Sequence, residues 1–145
     1  MNLFLLAQIA GRPVAIDGAQ VESVVDLNEI VRVPGAVQAV RGLTALRSRV
    51  VTVIDTGVAL GLAPMPAEAR RAVITRLEGH HYAVLVDALE DITPLALQPL
   101  DNGLALRGGW AAAAAGLVER DGEPVLVLDL TRIIPGAAPA DKAAA

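Results

Sequence analysis

Short apolar runs, each ended by a polar or glycine-bearing break, recur along the whole chain with the spacing of strands. Leu3 to Ile9 and Val14 to Ile16, joined through Gly11-Arg12-Pro13, predict a first hairpin. Val21 to Leu27 is a third strand, with Val21, Ser23 and Val25 on one face and Glu22, Val24 and Asp26 on the other. Leu43 to Leu46 and Val50 to Ile54 form a hairpin across the break at Arg47-Ser48-Arg49. The second of these runs is β-branched at every position and too short for a buried helix, so it reads as a buried strand. Asp55-Thr56-Gly57 stops it and can cap one helical turn through Leu60.

After a linker rich in Pro and Ala, Leu62 to Arg71, the series restarts. Ala72 to Leu77 and Tyr82 to Val86 flank a reversal at Glu78-Gly79-His80-His81, and Leu89 to Thr93 follows, cut by Pro94. Leu95 to Gly109 has no firm period, and Trp110 to Ala113 predicts a helical turn because alanine favours helix. Gly116 to Arg120 and Val125 to Leu128 make the last hairpin, around the tight-turn dipeptide Asp121-Gly122, with Thr131 to Ile134 as a closing turn. Pro135 to Ala145 is of low complexity and is expected to be a disordered tail.

The two series are copies. A shift of 74 residues carries Gly42-Leu43 onto Gly116-Leu117, Val51 onto Val125, Asp55 onto Asp129 and Leu60 onto Ile134. A shift of 68 carries Ile9 onto Leu77, Gly11 onto Gly79, Ile16 onto Val84 and Val24 onto Ile92. The difference places a six-residue insertion in the second copy, between about Pro94 and Gly109. Apolar residues align easily by chance, but paired glycines and aspartates in one order with the same flanks do not, so the pattern is a tandem duplication. Two copies of five short strands without a long helix predict an all-β chain of two packed small barrels, which hide their strand edges. The expected division is about 1–62 and about 70–134, within one domain spanning 1–134.

Composition narrows the function classes. With 145 residues, 54% hydrophobic and only 2% aromatic, the core must be aliphatic, which weakens any case for base or sugar stacking. A net charge of −4 without a Lys/Arg cluster argues against nucleic acid. Cysteine is absent, which removes disulfide and thiolate chemistry and fits a reducing compartment. The opening Met1-Asn2-Leu3-Phe4-Leu5-Leu6 lacks a basic region, and no apolar run approaches the ~20 residues that span a bilayer, so a cytoplasmic protein without membrane insertion is expected.

Chemistry-bearing constellations are few. His80-His81 is a single pair whose side chains diverge, with no third ligand at a convincing spacing, so no metal site is expected and an exposed turn is the simpler reading. Asp55, Asp87 and Asp129 each follow an apolar strand and read as caps and turns rather than an acid–base pair. No nucleophile triad, phosphate loop or dinucleotide fingerprint is present. No catalytic residue and no cofactor are assigned.

Val33-Pro34-Gly35-Ala36, Val40-Arg41-Gly42-Leu43, Ala45-Leu46-Arg47 and Val50-Val51-Thr52-Val53-Ile54-Asp55 resemble the signature run of CheW-type chemotaxis coupling proteins. The second half fits through Gly79, Val84 to Asp87, Pro99, Gly116-Leu117 and Val125 to Leu130, so the resemblance covers about Leu3 to Ile134. It implies two SH3-like five-stranded barrels and a non-catalytic cytoplasmic adaptor at receptor clusters. Its implied partners are the cytoplasmic tips of chemoreceptors and the regulatory domain of a histidine kinase. Departures are Ser48 in place of the family's glycine, Thr56-Gly57 after the strand-ending aspartate, and Ser23 where the family has an acid, with Glu22 one place earlier. Gln98 and the region of Gly103 stand where the family often carries an Arg and a Phe that help close rings in receptor arrays.

Arg47 is the first candidate for partner binding. By itself it is a turn arginine beside Arg49; the resemblance makes it a contact residue, and a guanidinium suits that role because its rigid fork of donors holds carboxylates or carbonyls. Val24, Val25 and Leu43 are further candidates. Each alone reads as core, but a surplus of small aliphatics on alternating faces can also form an exposed apolar strip for a partner. Two alternatives stand beside the adaptor reading: a divergent adaptor of a non-flagellar pathway or one lacking the ring contact, and a small-ligand-binding double barrel.

Overall fold

The computed structural model describes residues 1–100 and 106–135. Among these residues the strands are β1 (Asn2–Ile9), β2 (Arg12–Asp17), β3 (Ser23–Asp26), β4 (Val40–Leu46), β5 (Arg49–Ile54), β6 (Arg71–Leu77), β7 (His80–Leu85), β8 (Ala88–Leu95), β9 (Ala114–Arg120) and β10 (Glu123–Leu128). Helices α1 (Thr56–Ala59) and α2 (Gly108–Ala113) are short, and 3-10 turns lie at Gly18–Gln20 and Leu130–Arg132. The expected all-β architecture is present as two five-stranded sheets. The tail expected beyond Pro135 falls outside the described residues.

The copies do not segregate in space, and the division expected at the linker is corrected. One sheet runs β8-β1-β2-β10-β9 and the other β3-β6-β7-β5-β4, so each takes its central hairpin from the other half of the chain. The exchange preserves the duplication. In one sheet β10 pairs parallel to β2 with Leu126 opposite Val14; in the other β5 pairs parallel to β7 with Thr52 opposite Tyr82. These pairs superpose under the shifts of 74 and 68 read from the sequence. Leu5 opposite Ile92 and Val73 opposite Val24 superpose in the same way. Both hairpins present one register, so the apolar pattern fixes the pairing without saying which copy supplies it.

Burial explains the unbroken apolar runs. Leu5, Ala7 and Ile9 of β1, Val14 and Ile16 of β2, Ile54 of β5, Val73 of β6 and Val84 of β7 meet in one core shared by both sheets. The alternate residues face outward from it into separate cores. Phe4, Leu6, Ala15, Val118, Val125 and Val127 fill one, and Val51, Val53, Ala72, Ile74, Ala83 and Leu85 fill the other. Central strands buried on both faces need no polar alternation. Trp110 of α2 packs against the shared core, with the Arg12 guanidinium 5.0 Å from its ring centroid.

Among the boundaries that differ from expectation, two fall at Pro94 and at His80-His81. β8 continues through Pro94, which lies opposite Leu3, because β8 is an edge strand and its unpaired side tolerates a missing N–H. His80 and His81 begin β7 rather than forming the reversal, which is the Glu78-Gly79 pair at φ 52 and 82.

Candidate functional site

The β4–β5 hairpin carries the candidate face. Thr44 points inward, where its Oγ1 donates to the Glu29 carbonyl at 2.7 Å. Val31 and Leu43 exchange backbone hydrogen bonds at 2.8 Å in both directions, laying the segment after β3 alongside β4. Gly42 permits this approach, since a Cβ there would overlap the Val31 carbonyl. Outward, Leu43, Ala45, Val31 and Val50 line an open apolar depression of about 390 Å³. Val31 is 60% exposed and Val50 67%, while Leu43 is half-buried.

Arg47 and Ser48 form the two-residue turn at the tip, at φ 51 and 64, in the left-handed region that two-residue hairpin turns require. Arg47 is exposed and has no ion-pair partner among the described residues. Its neighbour Arg49 is engaged: it contacts His81 Nε2 and lies 3.6 Å from the Glu22 carboxylate. His81 is therefore not the exposed turn residue expected of it. Its side chain is 11% exposed, and Nε2 is also 3.2 Å from Glu22. Among the described residues no group of His, Cys, Asp and Glu has the arrangement of a metal site.

Arg41, part of the signature run in the sequence, is the most committed cation of the hairpin. Its guanidinium donates to Asp55 Oδ2 and the Met65 carbonyl at 2.6 Å and to the Pro66 carbonyl at 2.7 Å. Asp55 also accepts from the Val58 N–H at 3.2 Å, capping α1, and from the Met65 N–H at 3.0 Å. One ion pair thus fastens the linker to the end of β5. The sequence signal for this role is an arginine inside an apolar strand.

Asp129, the second-copy counterpart, is held differently. Gln20 donates to Oδ1 at 2.8 Å, and Thr131 donates through its N–H at 3.0 Å and its hydroxyl at 2.7 Å. Partial burial pushes this carboxyl upward, but the hydrogen bonds from Gln20 and Thr131, with Arg132 nearby, outweigh it and hold Asp129 below the usual carboxylate range. Asp87 accepts from the Gly11 N–H at 2.8 Å, pinning the β1–β2 turn. Asp55 and Asp129 thus cap helical turns and Asp87 holds a hairpin turn, each accepting from a backbone N–H.

A family model described as the CheW-like domain matches residues 3–138. The chain belongs to the CheW-like family. Chemotaxis protein CheW of Thermotoga maritima is 24% identical over 127 residues, covering 88% of this chain and 83% of that protein. The solved structure of the scaffolding protein TtCheW from Thermoanaerobacter tengcongensis shares the fold at a TM-score of 0.75, with 19% identity and 88% of each chain covered.

Within this CheW-like fold the four candidates are not one patch. Leu43 and Arg47 share the β4–β5 hairpin at one edge of their sheet, whereas Val24 and Val25 lie in β3 at the opposite edge. Val24 packs against the shared core and Val25 against the outer core of its own sheet, both half-buried. Gln98 is exposed, and its backbone pairs with Leu117 at 2.7 and 2.9 Å; Gly103 lies outside the described residues.

Proposed function

We propose that this CheW-like domain couples the cytoplasmic tips of chemoreceptors to the regulatory domain of a histidine kinase, acting by binding alone. The observation that carries the reading is the family match across residues 3–138, joined to a hairpin that presents an apolar depression beside an uncommitted arginine. Central apolar contact with a guanidinium alongside is the make-up of a protein–protein hot spot. In this account Leu43, Val31 and Val50 supply the buried contact, and Arg47 grips a carboxylate or carbonyl of the partner. Val24 and Val25, at the opposite edge of the sheet, pack against the two cores instead. Because Gln98 replaces the family's arginine, a scaffold that attaches at receptor clusters without closing rings is the second reading.

The test is pairwise capture of the full chain by a receptor cytoplasmic fragment and by the kinase regulatory domain. Arg47→Ala is expected to weaken at least one of these by about tenfold, the scale of an interface hot spot, with the melting temperature unchanged. Undiminished capture of both partners would contradict the assignment.

A further inference from the structure

Residues 28–32 separate the hairpin face from a second, larger depression. Val31 borders the first; Ile30 and Arg32 border the second, an open groove of about 740 Å³ between the segment before β4 and the linker 61–70. Its aliphatic lining includes Ile30, Val40, Val58, Leu62 and Met65. The charged groups on it are Arg32, Arg41, Arg70 and Asp55.

Arg41 and Asp55 neutralise one another at 2.6 Å on the floor, with 14% and 5% of their side chains exposed. That leaves a cation on each wall, Arg32 on the segment before β4 and Arg70 on the linker, in a chain whose net charge is −4. Arg70 is held in place through one nitrogen, Nη1, which donates to the Ala67 and Ala69 carbonyls at 2.9 and 2.8 Å. Its other nitrogen donors remain available, since a guanidinium carries five N–H groups. Arg32 is exposed and has no ion-pair partner among the described residues.

We infer that this groove binds an extended acidic segment of a partner protein. Aliphatic side chains of that segment enter between the walls, and alternate carboxylates reach Arg32 and Arg70. An extended chain places successive side chains on opposite sides, which matches an apolar trough flanked by two cations. An open trough also suits a peptide better than one small acid, which a closed pocket would surround. The site is independent of the hairpin face proposed above.

The test titrates the full-length chain with a capped Glu-Leu-Glu-Val-Glu-Leu-Glu peptide, following backbone amide shifts by NMR and affinity by anisotropy of a labelled copy. Controls are the peptide with lysine in place of each glutamate, and hexanoate. The acidic peptide is expected to shift amides of residues 30–41 and 58–70. Its affinity should fall several-fold between low and physiological salt and about tenfold or more in Arg32→Glu, while Arg47→Ala leaves it unchanged. Arg32 is exposed, so Arg32→Glu keeps the fold, and its own spectrum verifies that. Absent shifts in the groove, equal binding of the lysine peptide, or indifference to Arg32→Glu would overturn the inference. Hexanoate binding there as tightly as the peptide would overturn the assignment to a protein segment.

Discussion

Ser48 stands where hairpin geometry favours glycine. The turns at Ala10-Gly11, Glu78-Gly79 and Asp121-Gly122 place glycine at φ 78, 82 and 80, whereas the Arg47-Ser48 turn holds serine at φ 64. A Cβ in the left-handed region costs roughly 1–2 kcal/mol, and glycine's extra unfolded-state freedom offsets part of any gain. Ser48→Gly is therefore expected to stabilise the fold by about 0.5–1 kcal/mol in urea denaturation; a loss of stability would contradict the turn assignment. Asp129 gives a pH-dependent counterpart. Its folded-state pKa is depressed, so its contribution is present above the unfolded carboxylate pKa and is lost as pH falls through the folded value. Asp129→Ala should cost about 1 kcal/mol at pH 7, the scale of a lost N-cap, and the deficit relative to wild type should shrink as pH falls below about 4. A deficit that grew with acidity would reverse the sign and refute the cap.

At the scale of elements, the duplicated glycines are explained by close approach. A Cβ on Gly42 would overlap the Val31 carbonyl, and one on Gly116 would lie 2.7 Å from the Gln98 carbonyl. Each glycine admits a crossing segment that pairs with the following leucine, Val31 with Leu43 and Gln98 with Leu117. Gly42→Ala is expected to destabilise by about 1–3 kcal/mol, the cost of overpacking, and to reduce partner capture because Val31 leaves the apolar face. Thermal unfolding with unchanged midpoint would rule this out. The strands themselves were legible because both faces of the central ones are buried, leaving apolar runs broken only at turns. Pro94 reads in the sequence as a strand end because nothing local shows that β8 lies at an edge. The contacts of Arg41 and His81 are not legible in the sequence, because Met65, Pro66 and Glu22 reach them only through the tertiary path. Leu43 and Arg47 were legible as neighbours, being on one hairpin; that Val24 and Val25 lie across the sheet was not.

For the whole molecule, the exchange of hairpins is what sequence could not reveal, since β1–β2 and β6–β7 are interchangeable in register. It has a direct consequence: neither half of the chain holds a complete sheet. Fragments 1–66 and 67–145 should each lack a cooperative monomeric unfolding transition, and mixing them should restore one. A monomeric, cooperatively folded fragment would show that the halves are independent after all. Of the aliphatics that suggested an exposed strip, Val21 and Val24 pack against the core shared between the sheets and Val25 against the outer core of its own sheet, which concentrates the partner-binding proposal on the hairpin.

The proposal that the chain is a bridge is tested most directly by three-component retention: receptor cytoplasmic fragment immobilised, kinase regulatory domain in solution, and this chain added. The expected result is kinase domain held on the receptor only when the chain is present, and markedly less of it with Leu43→Asp or Arg47→Ala. Kinase retention no higher than without the chain would contradict the coupling function.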